Sequence, residues 1–389
     1  MADPPADPRR AGANRLGAEP ARAGQRAQTR RGVNGVETAP GTSLAETFRR
    51  LIAATGPISI AQFMAEANAH YYSRRDPLGT DGDFVTAPEI SQMFGELVGL
   101  WLADMWVRAG RPARPRYVEL GPGRGTLARD ALRAMAQHGL APEVHFVEGS
   151  DVLRGLQIAA VPEARFHADL GQVPLDRPIL LVANEFLDAL PVRQLVRTAA
   201  GWREVTVDIA EDGSFALAAG DRPMDAAVPE ARRGAEEGTL IETCPAATAT
   251  LFEVAGRLAR HGGAALFIDY GHAAPRTGST LQAVRAHRKV EPLAEPGEAD
   301  LTAHVDFAIL ADVARSREAR WLGTAEQGAW LRALGIDARA EVLARVAPDR
   351  AGDILAARDR LVAPDQMGRL FKVMGLAAPG WPDGAGFAR

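Results

Sequence analysis

From Arg116 onward the chain predicts an α/β fold built on a mainly parallel sheet, and three observations carry that expectation. Short apolar runs alternate with helical segments, the pattern of parallel strands buried on both faces. One such run, RYVEL, passes directly into the glycine turn GPGRG and then into a helix. Acidic or amide residues stand just after one strand after another, where an open parallel sheet presents its ligand.

Taken in order, residues 1–41 are rich in Ala, Arg, Gly and Pro and almost free of large apolar side chains, so a disordered tail is expected. Its arginines resemble those of a transit peptide, but Pro4, Pro5 and Pro8 oppose the amphipathic helix such a peptide needs. Ser43 and Glu46 make a capping box ahead of LAETFRRLIAAT, which Gly56-Pro57 ends. Ser59 caps IAQFMAEANAH, and YYSRRDPLGTDGDFVTAPEIS reads as a long exposed lid loop in which Tyr71, Tyr72 and Phe84 help close a site. Pro88 then opens a helix with apolar residues at helical spacing, among them Met93, Leu97, Leu100 and Trp101, that stops at Gly110.

The expected strands are Tyr117–Leu120, Val144–Val147, Arg165–Ala168, Ile179–Ala183 and Ala264–Ile268, with helices over Leu127–Gln137, Asp151–Ala159 and Ala246–Arg260. Thr126 is the expected N-cap of the first of these helices. Between the fourth and fifth strands, alternating apolar and polar residues with turns at Gly201 and Asp212-Gly213 predict an antiparallel insertion. Beyond the fifth strand lies a polar, loop-rich stretch, then helices beginning with TAEQGAWLRALG, a final strand in FKVMGLAAP and a loose end at WPDGAGFAR. The chain thus divides into a tail (1–41), an N-terminal helical part with the lid loop (42–111), a core with its insertion (112–275) and a part with substrate-side loops, C-terminal helices and the terminal strand (276–389).

Composition narrows the chemistry. With 389 residues, 47% of them hydrophobic, the chain can bury a large core, and a formal net charge of −4 gives no argument for binding nucleic acid. No apolar run approaches the roughly 20 residues of a membrane-spanning helix. Cys244 is the only cysteine, which excludes an intrachain disulfide and a cysteine-based zinc site, and the histidines lack ligand spacing, so no metal is expected.

The strand ends form a set: GPGRG after the first, Glu148 after the second, Asp169 after the third, Asn184, Glu185 and Asp188 after the fourth, Asp269, Tyr270 and His272 after the fifth. A dinucleotide wants G-x-G-x-x-G, and here the third glycine comes one position early, in Gly121, Gly123 and Gly125. S-adenosylmethionine has no phosphate. It needs close backbone approach, an acid for its ribose and polar contacts for its adenine, and Glu119, Glu148 and Asp169 are placed for such work, with Asn184 as a further cofactor contact.

The segments TDGDFVTAPEISQMFGELVGLW, ELGPGRGTLARD, NEFLDALPV, IDYGH, DLTAHVDF and MGRLFKVM, in that order, resemble the MidA family of S-adenosylmethionine-dependent methyltransferases over roughly residues 43–375. The resemblance implies a class I methyltransferase core, Rossmann-like with seven strands, elaborated by helical parts at both ends. It also implies a protein acceptor. The mitochondrial members are respiratory complex I assembly factors that methylate arginine on a complex I subunit, so the expected location is the mitochondrial matrix in a eukaryote and the cytoplasm in a bacterium.

For an arginine acceptor, Glu185 and Asp188 are the expected catalytic pair, because two carboxylates can grip a planar guanidinium that does not itself deprotonate. Asp83, Thr86, Pro88, Glu89, Asp269, Tyr270, His304 and Asp306 are the expected substrate or lid residues. The competing reading is a non-catalytic assembly factor that keeps the cofactor fold. The acid pair argues for catalysis, since a scaffold needs no such pair beside a sulfonium.

Overall fold

The computed structural model describes residues 43–74 and 85–387, so the expected tail, Asp83 and Phe84 lie outside the described residues. The first described helix is α1 (Leu44–Thr55), where the Glu46 amide donates to the Ser43 hydroxyl and Gly56 ends the helix at φ 83°. Next come the two-residue β1 (Ile58–Ser59) and α2 (Ile60–Arg74), whose Gln62 amide donates to Ser59. Tyr71 and Tyr72, expected in the lid loop, sit on the last turns of α2. The helix expected from Pro88 is broken in two, α3 (Ala87–Ile90) and α4 (Gln92–Arg108), with extended Ser91 capping the second.

The core follows as β2 (Arg116–Leu120), α5 (Thr126–Ala136), β3 (Glu143–Val147), α6 (Asp151–Ala160), β4 (Arg165–His167) and β5 (Ile179–Asn184). The antiparallel insertion is present as β6 (Arg193–Thr198), β7 (Gly201–Ile209), β8 (Phe215–Pro223) and β9 (Leu240–Thr243), and β1 pairs with β7 to join that sheet. Then α7 (Pro245–His261) leads to β10 (Gly263–His272). The stretch read as loops contains a small sheet of β11 (Gln282–Arg285), β12 (Arg288–Val290) and β13 (Asp300–Thr302). The chain continues through β14 (Val305–Asp306), α8 (Phe307–Ser316), β15 (Arg320–Glu326), α9 (Gln327–Ala333), α10 (Ile336–Val346), α11 (Ala351–Val362), α12 (Met367–Leu370) and β16 (Phe371–Ala377).

The main sheet has the order β15-β16-β10-β5-β2-β3-β4, with β14 added beside the end of β10. Strands β10, β5, β2, β3 and β4 are parallel; β16 runs antiparallel to both its neighbours, β10 and β15, so β15 points the same way as the parallel set. All six residues of β5 are buried, as an apolar central strand covered on both faces requires. Two expectations fail here. The first residues of TAEQGAWLRALG belong to β15, where Thr324 and Ala325 pair with Met374 and Val373, so edge pairing overrides a local pattern that suits a helix. The last described residues are not loose: Phe387 packs on Trp101 and Trp330, and the Trp101 indole donates to the Ala385 carbonyl.

Two large apolar cores result, beside a small cluster of Leu195, Trp202, Val228 and Ile241. One unites the main sheet with α4, α5, α7, α8 and the C-terminal helices; the other joins α1 and α2, through Phe48 and Phe63, to Val205 and Val207 of β7 and Leu301 of β13. Among the described residues no helix is long and apolar enough to cross a membrane. Within the first core α4 lies unusually close to α5, because Gly95 and Gly99 leave room: a Cβ on Gly99 would stand 2.4 Å from the Ala131 carbonyl oxygen. Gly99→Val is therefore expected to cost about 3 kcal/mol through overpacking. Urea unfolding measures it, and an unchanged midpoint would refute the close approach.

Candidate functional site

The carboxyl ends of β2, β3, β4 and β5 open into a cleft of ≈ 610 Å³, within the usual range for small-molecule sites. One wall is the glycine turn. Gly121, Gly123 and Gly125 take φ of 62°, 55° and 79°, left-handed values that a side-chain-bearing residue adopts only under strain. A Cβ on Gly121 would stand 2.9 Å from the Phe186 ring. Helix α5 begins at Thr126 itself, with Gly125 in the cap position and so without a side-chain cap. The expected Thr126 cap is thus displaced by one residue, because only glycine suits the left-handed cap position.

Glu119, Glu148, Asp169, Asn184 and Glu185 all line this cleft, together with Gly121, Gly123, Thr86, Pro88 and Glu89. Glu148 is held on both oxygens, by the Ser150 amide at 2.7 Å and the Gln157 side chain at 3.0 Å. Gln157 also donates to the Gly123 carbonyl at 2.7 Å, so one amide ties the glycine turn to the acid after β3. Glu119 is fully buried and accepts from the Tyr117 hydroxyl at 2.5 Å; burial pushes its pKa up to about 8 against the opposing pull of that bond.

Glu185 follows β5 with φ 50°, rare for a residue with a Cβ. Its Oε1 accepts from the Ala87 amide at 3.0 Å and the Asn184 side chain at 3.1 Å. Its Oε2 has no hydrogen-bond partner among the described residues. Burial raises the Glu185 pKa to about 7, helped by the nearby charge of Asp188 and opposed by the Ala87 amide.

The other predicted residues lie elsewhere. Strand β10 runs to His272 rather than ending at Ile268, since β14 pairs beside its last residues, and so Asp269 and Tyr270 are within the strand. Asp269 is 1% exposed and accepts from the amides of Leu187 (2.9 Å), Asp188 (3.2 Å) and Tyr270 (2.9 Å). Asp188 does not line the cleft: its carboxylate takes the Tyr270 hydroxyl and its carbonyl takes the Ala303 amide. Burial raises the pKa of both acids. His304 and Asp306 line a separate cavity of ≈ 480 Å³, where Asp306 caps α8 through the Ala308 and Ile309 amides. Burial and Arg276 lower the His304 pKa to about 4.

Sequence reasoning missed the contribution of α2. Asn68 and Tyr72 line the cleft, Asn68 donates to the Ala189 and Leu301 carbonyls, and the Tyr72 hydroxyl donates to Asp300. No local signal marked Asn68, which reaches the site through packing of the second core, whereas Tyr72, expected to help close a site from a loop, lines the cleft from a helix. Ser150 was the more legible omission, a helix N-cap two residues after Glu148.

The lining fits S-adenosylmethionine. The glycine cradle would be filled by any Cβ at Gly121, and among the described residues five carboxylates face one cation, Arg124, whose guanidinium lies 3.9 Å from Glu89. Such a lining suits a positively charged ligand. Among the described residues no group of His, Cys, Asp or Glu could hold a metal ion.

Comparison with known proteins agrees. Residues 97–325 match the model of a family described as S-adenosyl-L-methionine-dependent methyltransferases. The mitochondrial protein arginine methyltransferase NDUFAF7 of Mus musculus is 36% identical over 385 residues, covering 88% of this chain and 87% of the relative. The Drosophila melanogaster homologue is 37% identical over 376 residues, 86% and 84% of the two chains. A crystal structure from Burkholderia thailandensis bound to S-adenosyl-homocysteine superposes with a TM-score of 0.78 at 30% identity, covering 88% of this chain and 93% of that one.

Two outcomes follow from the site. Gly121→Val should abolish S-adenosylhomocysteine binding by isothermal titration, through backbone strain and collision with Phe186; retained affinity would misplace the cofactor. The raised Glu119 pKa means that its stabilising contribution is complete below its ordinary value of 4.5 and lost as pH rises through about 8. Glu119→Gln should accordingly melt above the wild type at pH 9 and not at pH 5, and a pH-independent difference would contradict the burial of that acid.

Proposed function

Because this chain belongs to that family of S-adenosyl-L-methionine-dependent methyltransferases, we propose that it methylates an arginine side chain of a protein, with Glu185 as the residue that receives the acceptor. The observation that carries this reading is a half-buried carboxylate in the cleft wall whose Oε1 is bonded and whose Oε2 has no partner among the described residues. The named relatives, protein arginine methyltransferases of mitochondria, support the acceptor class. A respiratory complex I subunit is the acceptor that the sequence resemblance points to, and the mitochondrial matrix or a bacterial cytoplasm is the matching location.

The bound cofactor supplies a methyl group on a sulfonium, to be displaced in line. The work of the chain is to bring the acceptor nitrogen to it and to manage charge. Glu185 pairs with the guanidinium in a partly desolvated cleft, where the attraction is stronger than in water. As the nitrogen gains the methyl group it sheds a proton, and Glu185 Oε2 takes it. A pKa near 7 suits that task, because a base is most effective when its pKa lies near the working pH. Asp188 serves the same turn from behind, fixed by Tyr270 rather than in contact with the acceptor.

Incubation of the purified protein with labelled S-adenosylmethionine and a lysate, followed by mass spectrometry, tests the reading; label on residues other than arginine, or on no protein, sinks it. Glu185→Gln should lower kcat by about 10²-fold to 10⁴-fold while S-adenosylhomocysteine affinity stays within a few fold. In the wild type, kcat/KM should rise with pH and level off above about 7, since only ionised Glu185 accepts the proton. A flat profile from pH 6 to 8 would count against it.

A further inference from the structure

We infer that Asn184 reads the methyl acceptor through its side-chain oxygen, forming with Glu185 a two-acceptor edge that takes neighbouring N–H groups of a guanidinium. This rests on the arginine reading above and adds the residue that selects a nitrogen bearing hydrogens.

Asn184 closes β5, is 8% exposed and lines the cleft. Its Nδ2 donates to Glu185 Oε1 at 3.1 Å, which fixes the amide: turned over, it would set oxygen against a carboxylate. The Oδ1 atom is left buried with no hydrogen-bond partner among the described residues. A buried acceptor without a donor costs free energy and persists in native structures where a ligand completes it. What completes it must carry an N–H or O–H.

Position decides which ligand that is. The glycine turn and Glu148, the expected cofactor contacts, stand at the ends of β2 and β3, on one side of β5. Asn184 and Glu185 form one hydrogen-bonded unit at the end of β5, and the Glu185 Oε2 atom also lacks a donor among the described residues. Two acceptors without a donor among the described residues, one of them buried, stand on adjacent residues and suit the planar fork of a guanidinium, which offers donors on neighbouring nitrogens. The division of labour is chemical. A carboxylate attracts any cation, whereas a neutral amide oxygen contributes only when an N–H meets it, so the pair disfavours a quaternary ammonium of equal charge. Being uncharged, Asn184 also keeps its bond to the methylated product after the proton has passed to Glu185.

The test uses the full protein saturated with S-adenosylhomocysteine at pH 8, with N-methylguanidinium and tetramethylammonium as probes in NMR titrations. Asn184→Ala should weaken N-methylguanidinium by about tenfold or more, the loss of one hydrogen bond to a charged group. Tetramethylammonium and S-adenosylhomocysteine affinities should stay within about twofold. Asn184→Ser, which restores an oxygen, should recover part of the loss and serves in place of the alanine variant if that variant melts early. A tenfold fall in S-adenosylhomocysteine affinity with an unchanged melting temperature would make Asn184 a cofactor ligand and overturn the inference. Equal losses for both probes, or none, would overturn it as well. A wild-type complex that binds no N-methylguanidinium would overturn the arginine reading and this inference together, whereas binding that neither variant alters removes this inference alone.

Discussion

The exit from β5 hangs on one buried carboxylate. Asp269, in the neighbouring strand β10, accepts the backbone amides of Leu187 and Asp188 while its other oxygen takes the amide of Tyr270. A turn leaving the middle of a parallel sheet has lost its ladder and must find other partners for its amides, or bear the cost of burying them bare. Asp269 supplies those partners. With the turn held there, Glu185 adopts its left-handed φ of 50°, and the carboxylate reaches the Ala87 amide at the start of α3. Strain of this kind persists only where the surroundings impose it, and here they do so at the cleft.

The same turn joins the two cores. From the second core, Asn68 of α2 spans the Ala189 and Leu301 carbonyls and accepts the Leu301 amide, while the Ser150 hydroxyl donates to the Tyr72 carbonyl. Helix α2 thereby contacts both the loop after β3 and the turn after β5. A shift of α2 would alter the cofactor side and the acceptor side at once. The antiparallel insertion, which interrupts the chain between β5 and β10, supplies the apolar face on which α1 and α2 rest.

Electrostatics follows from this packing. Carboxylates gathered under a cleft with, among the described residues, a single lining cation resist ionisation, and burial holds Glu119 and Glu185 near the middle of the pH scale. A cationic ligand relieves that frustration, so the cleft is selective for charge before any specific contact forms. Asp188 and Asp269, also buried acids with raised pKa values, lie behind the cleft and brace it.

Much was legible in the sequence because it is local. The parallel core, the glycine turn, the acids at the ends of β2 to β5 and the antiparallel insertion are each written in a contiguous pattern of apolar spacing and turn residues. What was not legible depends on partners far along the chain. The reach of β10 to His272 needs β14, the strand in WLGTAE needs β16, and the anchoring of Phe387 needs Trp101 and Trp330. Glu185 and Asp188 stand three residues apart and look equivalent in sequence. Tertiary structure separates them, since the turn that Asp269 holds leaves Glu185 an open oxygen at the cleft and gives Asp188 to Tyr270. The sequence by itself determined the fold class and the acids available to the site. Only long-range hydrogen bonding decided which of them meets the acceptor, because the direction of a side chain leaving a sheet is set by the partners of its backbone.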